Sequence, residues 1–295
     1  MIKQLLALGL ATLAAGAHAQ ASLDLGNYRL TTELALPFAA ASEASAITYN
    51  WDTGTLFVVG DEGRAIVEVS RTTGLQISTM SLTGFEDTEG LTYVGNGRFV
   101  IADEREQDLF QLTYTAGGTA NRNNLPGFSL GANVGNQGIE GVSYDPLTGG
   151  FLAVKEKGPQ AVWQASIDFT TGTGSYSALF TPNLGVTDLS DIQALSTVFA
   201  NQPFGSNLLI FSQESRALLE VTRSGQVLSR FDFSNLSGSA EGVTIDSNGV
   251  IYVADESPSV FVLTPIAAVP EPGALAMLLA GAGVCGAIAR RRRTA

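Results

Sequence analysis

One pattern recurs five times along this chain, and it restricts the fold more than any other feature. Its clearest copy runs from Asp87-Thr-Glu-Gly-Leu-Thr-Tyr-Val94 through the turn Gly95-Asn-Gly97 to Arg98-Phe-Val-Ile-Ala-Asp-Glu104, and closes with Leu109-Phe-Gln-Leu112. That is strand, tight turn, strand, loop, strand. The other copies open at Ser45-Ala-Ile-Thr-Tyr49, Glu140-Gly-Val-Ser-Tyr144, Asp191-Ile-Gln-Ala-Leu195 and Glu241-Gly-Val-Thr-Ile245. In every copy the second strand ends in a glutamate: Glu62, Glu104, Glu156, Glu214 and Glu256.

A repeat of roughly 40–50 residues built from short strands marks a β-propeller blade. The expected fold is therefore all-β, a propeller of five blades. A fourth strand is legible over 75–82, 176–180 and 227–233, but the last copy has none. Tyr28-Arg-Leu-Thr-Thr-Glu-Leu-Ala-Leu36 alternates as a strand ahead of the first full copy. Its pairing with the last blade closes the ring and removes an open edge. The competing architecture, an open sandwich, lacks so regular a repeat.

The two ends are not part of this body. Residues 1–19 read as a secretory signal: Lys3, then an apolar stretch, then Ala17-His18-Ala19 as a small-x-small cleavage site before Gln20. Residues 269–295 form a second targeting unit. It holds the Pro270-Glu271-Pro272 step, an apolar segment over 274–289, and the cluster Arg290, Arg291, Arg292 and Arg293. Sixteen helical residues reach ~24 Å, short of a ~30 Å hydrocarbon core, and snorkelling arginines with local thinning make up the difference. The arginines are expected to stay in the cytoplasm, with the body over 20–268 on the far side of the inner membrane.

This tail resembles the PEP-CTERM sorting signal of exported bacterial proteins, with step, apolar segment and arginine cluster in the same order. The resemblance implies cleavage near the Pro-Glu-Pro step by an exosortase-type membrane protease, then transfer to the cell surface or matrix. The plainer alternative is an uncleaved C-terminal anchor.

Removing both ends narrows the chemistry. The one histidine is His18 and the one cysteine is Cys285, so the mature body has neither. A Ser-His-Asp triad, a cysteine nucleophile and a histidine-bearing zinc site are excluded. The whole chain has 16 basic and 28 acidic residues. Without Lys3, the four terminal arginines and Glu271, 11 basic residues face 27 acidic ones, a net of −16. A body this acidic is not expected to bind nucleic acid or anionic lipid through its general field, and it is expected to meet the membrane only through its C-terminal tail before processing.

In a blade the first strand lines the channel and the second runs back beside it. Strand-one starts and strand-two ends therefore share one rim. The sequence places an inner set there, Glu89, Glu140, Asp191 and Glu241, with Ser45 at the first position, and the five strand-two glutamates as a second set. Converging carboxylates either take up protons or bind a cation. Oxygen-only ligands suit Ca²⁺, which takes 6–8 of them. The alternative is architectural: bases follow most of the outer set (Arg64, Arg105, Lys157, Arg216), and an acid at strand entry can accept N–H groups of the next blade. Trp51 and Trp163 read as packing between blades.

Ser45-Ala-Ile-Thr-Tyr49, Asp52-Thr-Gly-Thr-Leu-Phe-Val-Val59, Phe85-Glu-Asp-Thr-Glu-Gly-Leu91 and Asp103-Glu-Arg105 resemble the SdiA-regulated family. The resemblance implies a five-bladed propeller, distantly similar to NHL-repeat and esterase-like propellers, with a bound calcium and no established reaction. It carries the calcium onto Glu89, Glu140 and Glu241, with Asp191 in a departing Asp-Ile-Gln context. Two functions are expected to compete. One is a surface propeller that binds matrix polysaccharide or an envelope protein, with calcium as a structural ion. The other is a calcium-dependent hydrolase of an ester, lactone or phosphoester at the channel mouth.

Overall fold

The computed structural model describes residues 20–60, 64–233 and 238–266. The signal segment, Glu62, and the sorting residues Pro270, Glu271, Pro272, Arg290, Arg291, Arg292 and Arg293 lie outside the described residues.

In chain order the strands are β1 (Tyr28–Ala35), then β2 (Ala44–Asn50), β3 (Thr55–Gly60), β4 (Ala65–Val69) and β5 (Gln76–Thr83) of blade one. Blade two has β6 (Thr88–Gly95), β7 (Arg98–Asp103), β8 (Asp108–Thr113) and β10 (Gly127–Ser129), with β9 (Thr119–Asn121) between them in sequence. Blade three has β11 (Ile139–Asp145), β12 (Gly150–Lys155), β13 (Ala161–Asp168) and β14 (Thr173–Phe180). Blade four has β15 (Asp191–Ala194), β16 (Leu208–Ser212), β17 (Ala217–Val221) and β18 (Val227–Asp232). Blade five has β19 (Ala240–Ile245), β20 (Ile251–Asp255) and β21 (Ser259–Pro265).

The molecule is all-β, a propeller of five blades. β1 supplies the fourth strand of blade five, antiparallel to β21, with Tyr28 opposite Pro265 and Ala35 opposite Ser259. The first strand in the chain thus closes the ring on the last. One strand departs from the repeat: β9 crosses over and pairs in parallel with β5, covering part of the outer edge of blade one.

The sequence dictates the layering. Inner strands such as β16 and β20 are near-continuous apolar runs and are buried throughout. Outer strands such as β14 are polar and exposed over most of their length. Five hydrophobic clusters fill the gaps between neighbouring blades. Between blades one and two, Trp51 meets Tyr93 edge-on at 4.5 Å and Phe57 meets Phe99 at 4.6 Å. Trp163 packs on the cluster between blades two and three.

A polar belt ties the first strands together around the channel. Thr48 accepts the Tyr93 N–H at 3.1 Å, Thr92 that of Tyr144 at 2.8 Å, and Ser143 that of Ala194 at 2.9 Å. Thr244 accepts the Tyr49 N–H at 3.0 Å and donates its hydroxyl to Gln193 at 2.9 Å. Each blade is bonded to the next, and the circuit closes from blade five onto blade one. The accepting hydroxyls are buried, and the four bonds from backbone N–H groups satisfy donors that would otherwise be costly.

The strands also give the ring two ends. First strands begin, and second strands end, at one end, here called the rim. The strand 1–2 and strand 3–4 turns lie at the other, the foot.

Candidate metal centre at the rim

The acid-Gly steps of blades two, three and five sit at β-bulges. Pairing between the first two strands shifts between Thr88 and Gly90, between Ile139 and Gly141, and between Ala240 and Val243. Glu89, Glu140 and Glu241 fall within these breaks. A bulge leaves its extra residue out of the ladder and re-aims its side chain. The following glycine explains why the pair recurs. A Cβ on Gly90 would lie 3.1 Å from the Val142 nitrogen, one on Gly141 3.0 Å from that of Ile192, and one on Gly242 2.9 Å from that of Ile47. Glycine lets the next blade press against the channel strand, and the acid before it is left at the rim.

Asp191 does not belong to this set. Blade four has no bulge between its first two strands: Asp191 pairs directly with Phe211 and Gln193 with Leu209. Counting back from the belt residues Gln193, Ser143 and Thr244 puts Asp191 level with Gly141 and Gly242, and Ser190 level with Glu140 and Glu241. The alignment of Asp191 with the acids is one residue out of register. Its carboxylate accepts the Val243 N–H and its own neighbour's, from Ile192, both at 2.7 Å. It is buried, and burial holds it well above the usual carboxylate range despite those bonds. Asp191 therefore links blade four to blade five. The acid position is filled by Glu89, Glu140 and Glu241, and by serine in blades one and four, Ser45 and Ser190.

Two of the second set join the inner acids. One carboxylate oxygen from each of Glu104, Glu140 and Glu156 lies within 4.8 Å of the others. Glu104 is buried, and a loop approaches it closely: a Cβ on Gly138 would lie 2.0 Å from the Glu104 carbonyl oxygen. The Gly138 N–H donates to Glu104 Oε1 at 3.0 Å. Burial raises Glu104 to about 7, with Asp87 adding to the rise and the Gly138 bond opposing it. Glu140 is pushed well above its usual range, first by burial and then by the charges of Glu89, Glu104 and Glu241. These glutamates therefore feel one another across the mouth of the channel.

The remaining members of the second set are elsewhere. Glu214 is exposed and shares Lys157 with Glu156, at 2.6 and 2.5 Å. Glu256 is raised by burial, then by Glu43 and Asp255. Arg105 reaches Asp87 at 2.5 Å.

Sequence reasoning passed over two residues at this mouth. Lys155 ends β12 where β7 and β20 end in Asp103 and Asp255. Burial lowers its pKa while Glu156, Glu104 and Glu140 raise it, so it lies beside the cluster. Gln213 donates to Glu241 Oε1 at 2.6 Å. A lysine in a strand-end position otherwise acidic was the available signal for the first; the second had none.

Five radially arranged sheets, four of four strands and one of five, with a cluster of glutamates at one mouth define the protein as a five-bladed propeller with an acidic rim. Residues 20–264 match the SdiA-regulated family, and the chain belongs to it. Residues 268–293 match the PEP-CTERM protein-sorting motif. That motif implies export, C-terminal membrane anchoring before processing, and processing by an exosortase-type protease.

Among solved structures, glutaminyl cyclase of Myxococcus xanthus is similar at 14% identity over 80% of this chain and 95% of its own, with a TM-score of 0.54. Virginiamycin B lyase of Staphylococcus aureus gives 14% identity, coverages of 79% and 69%, and a TM-score of 0.43. A chain of a nidogen/laminin complex gives 13%, 73% of each chain and 0.48. At 14% identity the likeness to the cyclase is one of fold alone.

Proposed function

We propose that the protein is a surface-sorted propeller, folded over residues 20–268, whose rim holds Ca²⁺ and whose role is to bind or support a component of the envelope or matrix, a polysaccharide or another envelope protein. The observation that carries the metal is the spacing of Glu104, Glu140 and Glu156. Ca²⁺–oxygen distances of ~2.3–2.6 Å put two ligands on opposite sides of one ion ~4.6–5.2 Å apart. Three carboxylate oxygens within 4.8 Å of one another fit that span. Glu89 and Glu241, which act on Glu140 electrostatically, complete an all-oxygen donor set, with Asp191 left to its blade contact. Bound calcium would supply the positive charge that lets these glutamates ionise together.

A second reading, a calcium-dependent hydrolase, draws on one observation. Burial raises Glu104 above its ordinary value in the metal-free cluster, so a glutamate of this rim left outside the ion's coordination sphere would keep the basicity needed to activate water. Terbium luminescence separates the two. Lifetimes measured in water and in deuterated water count the water ligands on a Tb³⁺ bound in place of calcium. The binding role predicts a closed site with at most one water. Two or more waters, with turnover of lactone or phosphoester substrates lost in Glu104→Gln, would move the assignment to the hydrolase. Failure of Tb³⁺ to bind the folded protein would remove both.

A further inference from the structure

The sorting tail leaves the propeller from the foot. β21 runs from Ser259 at the rim to Pro265, and the Ile266 N–H bonds to the Asn27 carbonyl at 2.6 Å beside the start of β1. The glutamate cluster is at the other end of the same blades. Only residues 267–273 separate Ile266 from the apolar segment that begins at 274. Seven residues span at most ~25 Å when fully extended. The eight-residue strand β1 is itself ~26 Å tall. With its rim against a bilayer, the protein would need the whole connection merely to pass its own height.

The foot is also where apolar side chains are exposed. Leu75 and Ile77 (61% and 53% exposed) stand at the foot of blade one, and Leu30 and Ile266 at the foot of blade five. Val227 opens the outer strand of blade four, and Leu147 is in the first turn of blade three. Of the other exposed large apolar residues among those described, Val134 is in the rim-side loop before β11 and Tyr176 is midway along β14.

Charge follows the same axis. At the foot Asp145 and Asp246 are buried and paired with Arg223 and Arg71, and the exposed acids Asp24, Asp52 and Asp168 are spread over three blades, with Arg29 and Arg98 exposed among them. The glutamates converge at the rim. An anionic leaflet repels the rim, and at ~20–25 Å the repulsion is screened over a Debye length of ~8 Å.

We propose that, while the C-terminal anchor is in place, the propeller stands on the lipid surface through its foot, with the acidic rim turned away from the bilayer. This rests on the sorting motif acting as a membrane anchor before processing. The apolar contact is small, and the short tether makes it effective by raising the local concentration of the foot at the surface. The consequence is that the rim meets ions and partners from the outside even before the tail is cut.

The test uses residues 20–295, with the signal removed, in vesicles of phosphatidylethanolamine and phosphatidylglycerol, with Cys285→Ala removing the native thiol. An environment-sensitive fluorophore is attached in turn to Leu75→Cys at the foot and Val134→Cys at the rim. Both positions are exposed, so folding is preserved. Nitroxide lipids in the leaflet are expected to quench the foot label at least about twofold more than the rim label. Vesicles that carry the protein in flotation but quench the two labels equally, or the rim label more, overturn the proposal. A chain that fails to float with the vesicles overturns the anchor reading, and the proposal with it. The vesicles contain lipid only, so quenching cannot come from a protein partner.

Discussion

At the residue scale, one register position separates the roles of Glu140 and Asp191. Both are acids at the start of a channel strand, but a bulge aims Glu140 at the mouth while the unbroken ladder of blade four aims Asp191 at blade five. Replacing Asp191 by Ala leaves the Val243 and Ile192 donors unsatisfied in a buried site and is expected to cost about 1–3 kcal/mol. Urea unfolding measures that, and calcium affinity is expected to be unchanged. Gly141→Ala puts a Cβ 2.6 Å from the Asp191 Cα, and overpacking of this kind costs about 1–3 kcal/mol. The acid types and the acid-Gly pairs were legible in the sequence. The register was not, because one missing bulge residue in blade four shifts Asp191 into the glycine's place, and residue type alone conceals a shift of one.

At the scale of elements, the ring depends on its two closures. β1 completes blade five, and its approach is held from blade four. The buried Glu220 accepts N–H bonds from Leu23 at 2.7 Å and Asp24 at 3.2 Å, and bonds from Asn207 and Ser229 at 2.8 Å and from Ser22. Glu220→Ala strands these donors. The expected result is a loss of about 2–4 kcal/mol and of hydrogen-exchange protection at Leu23 and Asp24, ahead of the rest of the ring. The closing strand was legible because Tyr28 to Leu36 alternates and the last copy lacks a strand. The belt of Thr48, Thr92, Ser143, Gln193 and Thr244 was not singled out. Hydroxyl residues are common in strands, and only the ring geometry makes each one an acceptor for its neighbour. The parallel docking of β9 had no sequence signal, being three residues of ordinary loop composition.

At the scale of the whole molecule, the net charge of −12 hides an uneven distribution. The crowded rim makes stability depend on pH. Glu104 has its ordinary value near 4.5 when unfolded and about 7 when folded. Its contribution is thus fully present below pH 4.5 and is lost as pH rises through about 7. The metal-free protein is expected to melt several degrees lower at pH 8 than at pH 5. Calcium is expected to raise Tm more at pH 8, because protons compete for the same oxygens. Scanning calorimetry at the two pH values, with and without calcium, checks both signs.

The most direct measurement is a calorimetric titration of the folded protein with Ca²⁺, set beside Glu140→Gln and Asp191→Asn. The account predicts one site in the wild type, an affinity weakened at least about tenfold in Glu140→Gln, and an affinity within about twofold of wild type in Asp191→Asn. Absence of binding to the folded wild type, or equal loss in both variants, would contradict a metal centre built from the bulge glutamates.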